Sequence, residues 1–190
     1  TVGYESKSVK PLGGDMAMEI GDSNMDASRI GLGCMRMADL TVSEVSKLIN
    51  VALDNGVTLF DHADIYGAGR SEEVFGQALA QNKGMRERMR IQTKCGIRDG
   101  YYDFSRAHIL SSVDDSLRRL QTEFIDLLLL HRPDALMNIE EVADTLHHLY
   151  RTGKVKRFGV SNFNAGQIEL LQSVCKVPIQ VNQMQFGLMH

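Results

Sequence analysis

Cysteine is scarce: there are three in 190 residues, Cys34, Cys95 and Cys175, widely spaced and without a CxxC pair. Neither a disulfide framework nor a bound metal is expected, and a reducing, cytoplasmic setting is. No charge of one sign prevails. The 21 Lys and Arg oppose 24 Asp and Glu for a formal net charge of −3, with acids and bases interleaved. Such a surface gives no electrostatic argument for nucleic acid or an anionic membrane as partner. Long hydrophobic runs are absent as well. The longest aliphatic stretch, Leu127 to Leu130, is far too short to span a bilayer. No N-terminal segment has the order of a signal peptide. The chain opens on Thr1 in place of Met, so a processed or cropped N-terminus is expected.

What is present is the make-up of a globular domain, 43% hydrophobic and 24% charged. From residue 30 onward one unit recurs: a short apolar run, then a stretch whose apolar positions follow the helical period. The strand candidates are Ile30–Met35, Val57–Asp61, Arg90–Lys94, Ile125–Leu130, Arg157–Ser161 and Ile179–Gln183. Between the first two, Thr41 and Glu44 have capping-box spacing ahead of a stripe of Val45, Leu48, Ile49, Ala52 and Leu53. Asn55-Gly56 then supplies a left-handed stop. A second helix is expected to open at Ser71, with Glu72 and Glu73 at its positive end and Val74, Phe75, Ala78 and Leu79 inward. A third shows Ile109, Leu110, Val113, Leu117 and Leu120. The fourth shows Val142, Ala143, Leu146 and Leu149 before Gly153, and the fifth Ile168, Leu171 and Val174 before Pro178.

Five strand–helix units and a sixth strand imply a parallel sheet with right-handed crossovers. Either an open doubly wound sheet or a (β/α)8 TIM barrel would serve. The open sheet usually announces its nucleotide site with a glycine fingerprint after the first strand. Here Gly31-Leu32-Gly33 and Gly67-Ala68-Gly69 both lack the third glycine, and no GxxxxGK[ST] occurs. The strand spacing has a barrel's rhythm, and a barrel takes about 250 residues. Residues 29–190 are therefore expected to form an incomplete α/β barrel of about six β/α units out of the usual eight. Residues 1–28 carry no helical stripe. Turns at Pro11–Asp15 and Gly21–Asn24 flank a weak strand, Met16–Ile20, which suggests a hairpin closing the barrel bottom.

Reacting groups in such barrels project from the C-terminal ends of the strands. Those ends carry Cys34-Met35-Arg36, Asp61 with its loop to Tyr66, Lys94, His131, Ser161-Asn162 and Asn182-Gln183. Each alone has a plain reading: a surface tyrosine, a solvated lysine, a capping aspartate, a rim histidine. Asn162 alone reads as a helix cap. His147-His148 reads as a solvated helix face, and Lys154, Lys156 and Arg157 as an ordinary basic loop.

Together the segments match a known pattern. GVTLFDHADIYGAGRSEEVFGQAL resembles the aldo-keto reductase signature around its active-site aspartate and tyrosine. IQTKCG resembles the strand carrying the family's lysine, and IDLLLLHRPD the strand ending in its histidine. GKVKRFGVSNF and VPIQVNQ resemble the next two strands, so the likeness runs from about Arg29 to the last residue. His62 stands where many members have threonine. The resemblance implies reduction of an aldehyde or ketone with NADPH, or alternatively NADH, through a catalytic tetrad of Asp61, Tyr66, Lys94 and His131. It implies cofactor contacts from Ser161, Asn162 and Gln183, from Asp61, and from the loop Cys34, Met35 and Arg36. Substrate would border Tyr66, His131, Met35 and Phe163.

The residue chemistry agrees with those roles. Hydride delivered to a carbonyl leaves an alkoxide that needs a proton and stabilisation. Tyr66 can donate the proton, a nearby Lys94 ammonium favours the phenolate that remains, and Asp61 keeps the lysine charged. A neutral His131 can align the carbonyl oxygen. Two other readings use the same residues. A non-catalytic regulatory relative would keep tetrad and cofactor, whereas a Schiff-base lyase would need a neutral Lys94, which Asp61 opposes. The expected partner is a small carbonyl compound, not nucleic acid or a membrane. Nothing in the sequence sets an oligomeric state.

Overall fold

The computed structural model describes residues 17–21 and 25–188. Met16, the expected turn at Pro11–Asp15 and most of that at Gly21–Asn24 lie outside the described residues. Two short strands, β1 (Ala17–Glu19) and β2 (Asp26–Ser28), pair antiparallel. Six further strands then alternate with five helices. In order these are β3 (Gly31–Gly33), α1 (Val42–Asp54), β4 (Leu59–Asp61), α2 (Arg70–Gln81), β5 (Arg90–Cys95) and α3 (Arg106–Leu120). After them come β6 (Ile125–Leu130), α4 (Ile139–Arg151), β7 (Val155–Ser161), α5 (Ala165–Val174) and β8 (Ile179–Gln183).

Strands β3 to β8 form one parallel sheet in which each strand pairs with the next in sequence. That order decides between the two expected folds. A doubly wound sheet reverses its strand order at a switch point. This sheet never reverses, so right-handed crossovers put every helix on the same side, and it curls as a partial (β/α)8 barrel.

Two different cores line the two faces of the sheet. On the helix side, Leu128, Leu130, Phe158 and Val160 pack with Ile109, Val142, Leu146 and Leu149. Phe60 and Ile91 likewise meet Val45, Ile49, Val74 and Phe75. Leu127 and Leu129 face the other way, because side chains alternate along a strand. They pack with Met25 and the partly buried Ile20 and Val181. A strand covered on both faces needs apolar residues at every position, which explains the unbroken leucines of β6.

Helix ends largely follow local chemistry. The Thr41 side chain accepts from the Glu44 N–H, and the Glu44 carboxylate accepts from the Thr41 N–H at 2.8 Å. Asn164 and Gln167 repeat the box on α5. Gly56 (φ 77°) and Gly153 (φ 74°) make the left-handed turns behind α1 and α4. Helix α2 departs from expectation. It opens at Arg70 on Gly69 with no side-chain cap, while Ser71 is buried and donates to the Cys34 carbonyl at 2.6 Å. Glu72 and Glu73 do lie in the first turn of α2 as expected, but Glu72 is fully buried in an ion pair. Val174, expected inward, is exposed on α5, where Leu171 alone is fully covered.

Helices α2 and α3 pack closely at Gly76. A methyl group there would lie 2.1 Å from the Arg119 carbonyl oxygen and 2.7 Å from the Leu120 carbonyl carbon. Gly76→Ala is therefore expected to lower stability by about 1–3 kcal/mol, as overpacking does, read as a drop in Tm on thermal denaturation.

Candidate active site

Parallel register brings the C-terminal ends of neighbouring strands to one rim. Asp61 lies beside Gln92, and Ser161 beside Gln183. Lys94, two residues beyond Gln92, points to the same face. Its side chain is 3% exposed and donates three hydrogen bonds. The acceptors are Asp61 Oδ1 at 2.6 Å, the His62 carbonyl at 3.0 Å and the Tyr66 hydroxyl at 3.2 Å. Three donors are what one ammonium has to give. The Asp61 carboxylate is fixed in turn by Gln183 Nε2 at 3.0 Å and by Gln92 Nε2. The lysine's own contacts engage all three ammonium donors, an arrangement that a neutral Schiff-base lysine could not make.

Tyr66 stands in a 3-10 turn after β4, its ring edge-on to His131 with centroids 6.2 Å apart. The three residues after it are all left-handed, at φ 58° (Gly67), 53° (Ala68) and 89° (Gly69). In an alanine that conformation costs about 1–2 kcal/mol, so packing has to hold the loop. Arg119 of α3 lies against Gly69, where a methyl group would approach Arg119 Cδ to 2.9 Å. The same guanidinium bonds Glu72 at 2.8 Å. Glu72 accepts in addition from the Thr93 hydroxyl at 2.6 Å, next to Lys94 in the chain. A buried chain of Arg119, Glu72 and Thr93 thus ties the Tyr66 loop to the lysine strand.

His131 follows β6, its backbone N–H donating to the Cys95 carbonyl at 3.0 Å. Burial, reinforced by the charges of Lys94 and Arg132, lowers its imidazole to about 4. It is therefore neutral near pH 7, with one N–H and one lone pair. On the facing wall, Ser161 Oγ donates to the Gln183 carbonyl and Asn162 Nδ2 to Ser161 Oγ, both at 3.1 Å. Asn162 is itself left-handed (φ 58°) and accepts from the Gln185 N–H at 2.9 Å. The capping role that a sequence reading offers it belongs to Asn164. One open hollow is bordered by Tyr66, Lys94 and His131, by Ser161, Asn162 and Gln183, and by Arg132, Met184 and Gln185.

The family model for the aldo/keto reductase family matches residues 29–190. The chain belongs to that family. Oxidoreductase YdhF of Escherichia coli (strain K12) is 44% identical over 173 residues, covering 86% of this chain and 58% of the relative. The 6-dehydroglucose reductase of Agrobacterium fabrum is 39% identical over 178 residues, covering 87% and 60%. Among solved structures, the glycerol dehydrogenase AKR11B4 of Gluconobacter oxydans superposes with a TM-score of 0.80 at 32% identity, over 93% of this chain and 57% of that one. The chain thus spans less than two-thirds of the length of these relatives.

Not every expected residue of this aldo/keto reductase chain reaches the hollow. Cys34 is fully buried beneath α1 and α2, its thiol bonded to the Leu32 carbonyl and its pKa raised by burial. Its side chain cannot line a ligand site. Phe163 is 1% exposed and packs in the helix-side core, so it is no substrate wall. Met35 and Arg36 are exposed beyond β3 and do not border the hollow. Conversely, Gln92, Arg132 and the Glu72–Arg119 pair escape a reading by motif. Gln92 gains meaning only from the register that sets it beside Asp61. His62, the departure from the family pattern, is fully buried edge-on to Phe75 at 4.5 Å, and burial lowers it to about 3.

Both imidazoles thus titrate below the unfolded value of about 6.5. As pH falls, the unfolded chain takes up those protons first. Stability is accordingly lost from about pH 6.5 down toward about 4 for His131 and about 3 for His62. Asp64, raised to about 6 by burial, acts in the opposite sense, because the folded chain protonates it first. His62→Leu should flatten the fall in Tm between these pH values, and an unchanged slope would refute the assignment. Glu72→Gln deprives Arg119 of its carboxylate and should lower stability by about 3–5 kcal/mol in chemical denaturation.

Proposed function

We propose that this aldo/keto reductase reduces an aldehyde or ketone to an alcohol, with NADPH as the reductant implied by the family resemblance. The observation that carries the reading is Lys94 Nζ, bonded at once to the Asp61 carboxylate and the Tyr66 hydroxyl beside a neutral His131. Relatives named 6-dehydroglucose reductase and glycerol dehydrogenase support it.

The residues present suit a nicotinamide. Its carboxamide needs both a donor and an acceptor, and Ser161, Asn162 and Gln183 offer both along one wall of the hollow. Gln183 Oε1 has only a 3.3 Å bond from Gln92, which leaves it acceptor capacity. These three residues would hold the carboxamide. When bound, the reduced nicotinamide supplies a hydride to the carbonyl carbon.

The remaining steps fall to the chain's own groups. As negative charge builds on the substrate oxygen, the Tyr66 O–H bond breaks and the alcohol O–H forms, leaving a phenolate. The Lys94 ammonium, 3.2 Å from that phenolic oxygen, stabilises the phenolate until solvent returns its proton. Asp61 keeps the ammonium charged and aimed. His131, being neutral, donates a hydrogen bond to the carbonyl oxygen and fixes it next to the tyrosine.

NADPH consumption by the full-length protein across a carbonyl panel tests the reading. Tyr66→Phe is expected to lower kcat by about 100- to 10,000-fold, the range of general acid catalysis, with NADPH binding preserved. Full activity in that variant would remove Tyr66 as proton donor. NADPH binding by the wild type without turnover of any carbonyl would favour the regulatory relative.

A further inference from the structure

The hollow holds a cation that neither the proton transfer nor the carboxamide wall uses. Arg132 directly follows His131 and borders the hollow together with Tyr66 and Lys94. It is half-buried. Other arginines tucked into this fold have acceptors: Arg86 bonds Asp126, Thr122 and the Phe124 carbonyl. Arg119 bonds Glu72 and Ser116. Among the described residues, the Arg132 guanidinium has neither a hydrogen-bond acceptor nor a carboxylate partner. That guanidinium carries five N–H donors in a fixed planar fork.

A charge count points to what fits. Lys94 is cancelled by Asp61 at 2.6 Å. His131 is neutral, and the Arg132 charge is one of the causes. Among the described residues no aspartate or glutamate borders the hollow, so Arg132 leaves this lining with one uncompensated positive charge. Most of the remaining border is polar, with Met184 the apolar exception. A guanidinium in such a place recognises a planar anionic oxygen pair, which it grips with two parallel N–H bonds.

We propose that Arg132 is an anion subsite of the substrate pocket, and that the preferred carbonyl substrate carries a carboxylate bound there. The proposal rests on the carbonyl-reductase reading above. A cofactor phosphate offers the same anionic oxygens. The carboxylate is favoured because Arg132 directly follows His131, the group that orients the carbonyl, in the chain, whereas Ser161 and Asn162 of the same hollow are the residues read as holding the carboxamide.

Two four-carbon aldehydes that differ only in a terminal carboxylate, succinic semialdehyde and butyraldehyde, test this in the full-length protein. The wild type should prefer the semialdehyde in kcat/KM. Arg132→Gln should lose about 10- to 100-fold on the semialdehyde, the range of a lost charge-assisted hydrogen bond, and change little on butyraldehyde. Arg132→Lys should keep part of the preference, because it retains charge without the fork. NADPH affinity, followed by cofactor fluorescence, should not move. Titration calorimetry with succinate reads the subsite without turnover, and Arg132→Gln should weaken that binding. Equal losses on both aldehydes with weakened NADPH binding would assign the guanidinium to a cofactor phosphate and overturn the proposal. Wild-type kinetics in Arg132→Gln, or the absence of succinate binding, would overturn it as well. Arg132-dependent succinate binding in a protein that reduces neither aldehyde would leave the subsite standing and refute the reductase reading.

Discussion

A lysine ammonium with 3% of its side chain exposed stays charged only where a partner replaces the water it has lost. The rest of the site depends on how that is done here. Asp61 supplies the countercharge at 2.6 Å, and Gln183 and Gln92 fix the carboxylate from two other strands. The His62 carbonyl and the Tyr66 hydroxyl take the remaining N–H bonds. Because the partners come from β4, β5 and β8, the ion pair is a property of the curled sheet and not of any one segment. A one-residue slip in pairing would turn the inward groups of a strand to its other face. Fold and chemistry are therefore coupled through register.

The tyrosine has a different support. Its loop is held in a left-handed run that local chemistry does not favour at Ala68. Arg119 reaches Gly69 from α3, and Glu72 links that arginine to Thr93, the neighbour of Lys94. The Tyr66 loop and the Lys94 ammonium are thus positioned from opposite sides, the loop through the helix layer and the ammonium through the barrel interior. A buried ion pair gives a net gain only with good geometry and further hydrogen bonds, and both pairs have them.

Legibility in the sequence follows the same division. β6 is readable to the residue from its apolar run ending at His131, and β8 from the alternation of apolar and polar residues that follows Pro178. Asp61, Lys94 and His131 are readable because each lies at the end of a strand run, whereas Tyr66 is readable only from the signature of its loop. β3 is shorter than its apolar stretch suggests: Ile30 is 61% exposed, and the backbone leaves the sheet after Gly33. Side-chain direction at a strand end is set by pleat and loop path together, so Cys34 and Phe163 enter the core although their positions suggest a ligand site. Glu72 looks like a helix-dipole residue until α3 delivers Arg119 to it. Charges whose partner is more than forty residues away leave no local signal. Arg132 is hidden for the opposite reason, since its meaning lies in a partner that the described residues do not supply.

The two cations of the hollow also bear on the histidine between them. Lys94 and Arg132 both disfavour a proton on His131, but burial is the larger cause. An anion bound at Arg132 would cancel part of that repulsion and leave the burial untouched. The imidazole would then remain neutral with substrate in place, and a neutral ring can donate one hydrogen bond to the carbonyl oxygen without competing with Tyr66 as the proton donor. On the proposed reading the site separates its tasks: one paired cation to stabilise the phenolate, one unpaired cation to recruit an anion, and a neutral ring to orient the carbonyl oxygen.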